Sequence, residues 1–349
     1  MKNFMILAAC AATFYACSSN DVNTPDINEN TTGLLSVSTS VLTQNSKGTK
    51  TINGADAAQT GPVMAAGLAN GAKIGVFVFD EGKVGTEYKG AINTAPKSNQ
   101  EWTLSTNWGG PQFTLGIQHA DVYAYFPYAE NMSYNAIPVE AGYTDYLYGK
   151  SSNSVNSTTV GANIELNHAL SLISFTFRKT TSYPTDEAGA LQSITIKSLP
   201  ANGAMNISET SDIVSNITGT KDLSIKQWSS SAYVTFDKKI PTAGDDLTAA
   251  LGYASANTTP LYHALVLPQT EIPSSTTGLH AVVRIDNVDY TIPLNIKNPE
   301  AGNGNNWKSG KHYTYNLKIS GTSGQGNVLE VSSVKVSQWT TGGNSDIEI

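Results

Sequence analysis

The run Lys73-Ile-Gly-Val-Phe-Val-Phe-Asp80 decides the fold class. In an extended chain Ile74, Val76 and Val78 point to one side, and Gly75, Phe77 and Phe79 to the other, so the segment is apolar on both faces. β-Branched and aromatic residues at period 2 favour a strand, and two apolar faces mark a central one. Upstream, Leu35, Val37, Thr39 and Val41 share one face of an earlier strand. Downstream come Trp102 with Leu104, then Phe113, Leu115 and Ile117, then the aromatic strand VYAYFPY (122–128) stopped by Pro127, and DYLYG (145–149).

Residues 149–163 (GKSSNSVNSTTVGAN) are turn-forming and mark a domain boundary. A second set of alternating runs follows: IELNHALSLISFTFRK, LQSITIKSL, YVTFD, YHALVLP, HAVVRIDNVDYTIPL, HYTYNLKI and LEVSSVKVSQW. Long amphipathic helical patterns are missing. The Ala-rich stretch Ala55–Ala69 is the best helix candidate, and Gly61-Pro62 cuts through it. The expectation is an all-β chain with two Greek-key β-sandwich domains in tandem, at 34–158 and 159–349.

Composition narrows the function. The 349 residues carry 28 acidic and 21 basic side chains, a net charge of −7, and only 14% are charged. Nineteen of the basic residues are Lys, and none of them forms a basic stripe, which argues against a nucleic-acid partner. Both cysteines, Cys10 and Cys17, lie at the extreme N-terminus, so neither a disulfide nor a thiolate metal site nor a Cys nucleophile is expected in the body of the chain. His119, His168, His263, His280 and His312 are isolated, with no HExxH pair, and no GxSxG elbow exists. Gly304 to Lys311 misses the phosphate-loop spacing by one residue and has His312 where a hydroxyl must hold magnesium. No catalytic residue, metal or cofactor is expected, and the chain reads as a non-enzyme.

The N-terminus reads as an export address. Lys2 precedes the short apolar stretch Phe4-Met-Ile-Leu-Ala-Ala9, and the small Ala16 stands before Cys17. Residues 1–16 are expected to be a lipoprotein signal peptide and Cys17 the lipidated new N-terminus. Residues 17–33 then form a polar tether.

Four groups of segments, in this order, resemble the fimbrillin family of type V pilus subunits. They are KIGVFVFD (73–80); DVYAYFPY (121–128) with DYLYG (145–149); NHALSLISF (167–175); and LVLPQ (265–269) followed by WKSGKHYTYNL (307–317). The resemblance implies transthyretin-like sandwiches, outer-membrane lipid anchoring, surface polymerisation with other pilus subunits, and adhesion to a host or bacterial receptor. It also implies proteolytic loss of the first strand, with a neighbour's C-terminal strand filling the groove. Well-studied members are cut after Arg, whereas no Arg precedes Arg178 here. Lys47 and Lys50, in QNSKGTKTING, are the candidate processing sites. In the tail, residues 328–349, Leu329 and Val331 fall in one phase and Val334 and Val336 in the other, with Ser332-Ser333 between them. Such a one-residue slip marks a bulge or a kink between two short strands. These four side chains are the candidate donor strand; the same tail also reads as the last strand of its own domain. The alternative function is a surface lipoprotein that never polymerises and binds glycans through its exposed aromatics, among them Trp102, Trp108, Trp228, Trp307 and Trp339.

Overall fold

The structure is a computed structural model that describes residues 33–41, 68, 70–93, 97–104, 108–184, 189–229, 232–254, 259–274, 276–295, 305–322 and 326–339. Among these residues every regular element is a strand. In chain order they are β1 (Ser36–Val41), β2 (Lys73–Asp80), β3 (Gln100–Leu104), β4 (Trp108–Gly109), β5 (Ala120–Phe126), β6 (Ile137–Glu140), β7 (Leu147–Lys150), β8 (Gly161–His168) and β9 (Ser171–Lys179). The second half adds β10 (Leu191–Met205), β11 (Val214–Ser224), β12 (Gln227–Ser229), β13 (Ala232–Val234), β14 (His263–Val266), β15 (His280–Ile285), β16 (Val288–Pro293), β17 (Lys311–Thr322) and β18 (Gly326–Gln338).

A seven-stranded sheet runs β1-β8-β7-β5-β2-β3-β4. The double apolar character of KIGVFVFD is used in full. Ile74, Val76 and Val78 of β2 join Val122, Ala124 and Phe126 of β5 in one core, which Leu35, Val37 and Val41 at β1 and Ala162, Ile164 and Leu166 of β8 close, Leu35 standing just before β1. Phe77, Phe79, Tyr123 and Tyr125, on the other face, enter a second core. There the rings pair at 6.0 Å (Phe77–Tyr125) and 5.7 Å (Phe79–Tyr123), within the range of favourable aromatic packing.

That second core lies between a sheet ordered β11-β10-β15-β16 and one ordered β14-β9-β17-β18. Ile194, Ile196, Val283 and Ile285 come from the first, and Phe175, Phe177, Tyr315 and Leu317 from the second, an all-β, sandwich-like arrangement. β10 spans the molecule: Leu191–Lys197 pairs with β15, and Asn202–Met205 with β6 from the first half of the chain. β15 and β16 meet at a tight turn where Asp286 and Asn287 have φ of 46° and 65°, the left-handed values a two-residue hairpin of this hand requires.

Three readings of the pattern change. IELNHALSLISFTFRK is two strands in two sheets, β8 and β9, joined by the fully buried Ala169-Leu170. The chain passes from one sheet to the other between these two strands. Phe113, Leu115 and Ile117 do not form a strand. Phe113 and Leu115 are buried, but Ile117 is 86% exposed, and Thr114 makes only an isolated bridge to Leu34. YVTFD contributes only the short β13. Of the Ala55–Ala69 helix candidate only Leu68 is among the described residues.

Candidate functional site

The first strand sits at an edge. β1 runs parallel to β8 in a ladder from Ser36↔Gly161 to Val41↔Leu166. Just before it the chain turns to the opposite wall. Leu35 N–H donates to the Phe113 carbonyl (2.8 Å), and Leu115 N–H donates to the Gly33 carbonyl. Residues 33–35 thus tie the chain to residues 113–115 just before β1 lies along the edge of β8. The inward face follows the expected phase: Val37 and Val41 of β1 and Leu35 just before it are buried, while Thr39 is half-buried. Burying three such side chains contributes about 5–9 kcal/mol. Removing β1 would leave β8 with an open backbone edge and the core with a slot lined by Phe113, Leu115, Ile164 and Leu166.

The last strand is also an edge. β18 pairs antiparallel with β17 and occupies the end of its sheet. All four candidate donor residues are in β18, opposite Ile319 (Leu329), Leu317 (Val331), Tyr315 (Val334) and Tyr313 (Val336). Leu329 and Val334 are buried, and Val331 and Val336 pack against the same core. The phase slip is a bulge. Asn316 pairs with Ser333 and Leu317 with Val331, so Ser332 is the extra residue, and its hydroxyl donates to the Asn316 carbonyl (2.8 Å). Beyond β18, Trp339 is buried against His168, itself hydrogen-bonded to Asp145. Asp145 and His168 are far apart in sequence, and no spacing rule flags them.

Cys17, the tether up to residue 32, Lys47 and Lys50 lie outside the described residues. The histidines have separate partners: Asn156 for His119, Asp145 for His168, Tyr233 and the Pro260 carbonyl for His263, the Gly278 carbonyl for His280, and Ser174 and Thr314 for His312. No group of three or more His, Cys, Asp or Glu among the described residues is placed to hold a metal. Trp102, Trp307 and Trp339 are core residues. Trp228 is half-buried, 4.9 Å from Tyr233, which in turn lies 4.5 Å from Tyr143. Burial pushes the Tyr143 hydroxyl up to about 12, against the opposing effect of the Lys226 N–H it accepts.

The fold has counterparts among solved structures. A search of curated proteins finds no match. Solved structures that share the fold include two from Bacteroides. One is a candidate cell adhesion protein from Bacteroides uniformis, with TM-score 0.52 and 15% identity, covering 88% of this chain and 100% of the other. The second, a candidate cell adhesion protein from Bacteroides ovatus, gives TM-score 0.52 and 15% identity over 89% and 98%. A family model described as fimbrillin-like matches residues 58–339, which takes in every strand from β2 to β18. The chain belongs to the fimbrillin-like family of structural, non-enzymatic proteins.

Proposed function

We propose that this protein is a structural subunit of a type V-like pilus, exported as a lipoprotein and assembled by strand exchange to support adhesion. Membership of the fimbrillin-like family supports a pilus-subunit or adhesion role at the cell surface. The observation that carries the finer reading is β1, a short parallel edge strand that, together with Leu35 just before it, closes a core with three apolar side chains. A strand held in this way is separable from the sheet it completes. A second strand with alternating apolar residues can take its place through backbone pairing and pocket filling.

In this reading Cys17 carries the lipid, residues 17–33 tether the body to the outer membrane, and a protease cuts after Lys47 or Lys50. The tail from Val328 onward, carrying Leu329, Val331, Val334 and Val336, then leaves β17 and enters the slot of the next subunit. The two halves of the chain act as tandem transthyretin-like Greek-key sandwiches. Partners are other pilus subunits, the membrane through the lipid, and a surface receptor. Antibodies against the purified protein should label filaments on intact cells. Deleting residues 328–349 should abolish that labelling while leaving a subunit that still accepts a donor. A deletion that instead unfolds the second half assigns the tail permanently to its own sheet.

A further inference from the structure

Three buried side chains meet where the chain passes from one sheet to the next. His168, the last residue of β8, has a fully buried imidazole whose Nδ1 lies 3.0 and 3.2 Å from the two carboxylate oxygens of Asp145, itself fully buried. Trp339 lies flat on that imidazole, with ring centroids 3.7 Å apart and planes 9° from parallel. The main chain repeats the link. Trp339 N–H donates to the Gly310 carbonyl (2.8 Å), and Gly310 N–H donates to the Leu170 carbonyl (2.9 Å). The end of the last strand is thus fastened to the connection between β8 and β9.

Two features distinguish this seat from ordinary core packing. First, β8 is also the strand that carries β1, and the final pair of that ladder, Val41↔Leu166, is two residues from His168. The seats of the first and last strands therefore share one strand. Second, the seat is incompletely satisfied. His168 Nε2 and Trp339 Nε1 are buried with no hydrogen-bond partner among the described residues. Stacking and apolar burial hold the indole in, while two dehydrated nitrogens favour opening to water. The Ser332 bulge supplies a break in β18 from which the segment Ser333–Trp339 can lift.

We propose that Trp339 is a latch: it holds the end of β18 in place while β1 lies on β8, and releases it when β1 departs. The proposal rests on the strand-exchange reading above for its purpose, though not for its geometry. Loss of β1 leaves the C-terminal end of β8 held on one side only, by the two pairs Leu147↔His168 and Tyr148↔Asn167 with β7, and lets His168 move away from the indole. An untrimmed subunit then keeps its tail folded in, and a trimmed one offers it.

Hydrogen–deuterium exchange with mass spectrometry on the full chain tests this, using wild type, Trp339→Ala and Trp339→Phe. Trp339→Ala should speed exchange of the 333–338 amides at least about tenfold. It should also speed exchange at 36–41 and 161–168, leaving 191–197 unchanged. Trp339→Phe keeps the flat ring and removes the orphaned N–H, so it should slow exchange in the same segments. It also keeps the test valid if the Ala variant fails to fold. Unchanged exchange at 333–338 removes the latch. A rise there with 36–41 and 161–168 unmoved removes the coupling. Multimer formation by trimmed wild-type protein, measured in parallel, separates the two readings: coupling without multimers overturns strand exchange and keeps the latch, and multimers without coupling do the reverse.

Discussion

The carboxylate of Asp286 accepts hydrogen bonds from the Tyr183 hydroxyl (2.7 Å) and from the N–H groups of Gly189 (2.7 Å) and Ala190 (2.8 Å), tying the β15–β16 turn to the start of β10. Burial alone would raise this carboxyl. The Tyr183, Ala190 and Gly189 donors, with Lys179 nearby, outweigh it and hold the group below the usual carboxylate range. The stabilisation is therefore present above the unfolded value near ~3.9 and lost as pH falls through the lower folded value. Asp286→Ala should cost roughly 1–3 kcal/mol in a denaturant titration and flatten the acid limb of the stability profile. His263 behaves differently. It is held to about 4 by burial, against the hydrogen bond to the Pro260 carbonyl. Below pH ~6.5 the unfolded chain takes up a proton that the folded one refuses, so stability falls from there toward pH ~4 by up to about 3 kcal/mol. His263→Phe should remove that slope; an unchanged slope assigns it to other groups.

The Ser332 bulge is the element whose sequence signature was plainest. Without Ser332, Leu329, Val331, Val334 and Val336 would alternate without interruption. Deleting Ser332 should therefore be tolerated at about 1 kcal/mol, the hydroxyl bond to Asn316 being the main loss. Deleting Lys335 should turn Val336 outward and cost several times more, and thermal melts of the two deletions distinguish these outcomes. The central strands β2 and β5 were equally legible, because strict alternation of large apolar residues leaves little else they can do. Edges were not. β11 is exposed along most of its length, and VSNITGTKDLS accordingly carries no alternation to read. The passage from β8 to β9 was hidden because Ala169-Leu170 is as buried as the strands it joins, with neither Gly nor Pro to mark the turn. The seat of β1 was half legible: its own inward face follows from period 2. The opposite wall, residues 113–115, depends on chain pairing that no local pattern encodes. His168, Asp145 and Trp339 meet only through tertiary structure.

At the scale of the whole molecule the first and last strands are both edges, and the strand-exchange account gives each a role. Anchoring belongs to this scale too. Cys17→Ala should abolish incorporation of a clickable palmitate analogue and leave the chain as precursor or released protein, whereas label retained on the variant contradicts a Cys17 anchor. Under strand exchange β1 occupies a place meant for another subunit's strand. The most direct measurement is the mass in solution of purified protein before and after trypsin trimming, by light scattering coupled to size exclusion, with the new N-terminus read by mass spectrometry. Before trimming the protein should be a monomer. After cleavage at Lys47 or Lys50 it should form a growing series of multimers that lack residues 33–41. A protein that loses those residues and stays strictly monomeric would contradict strand exchange.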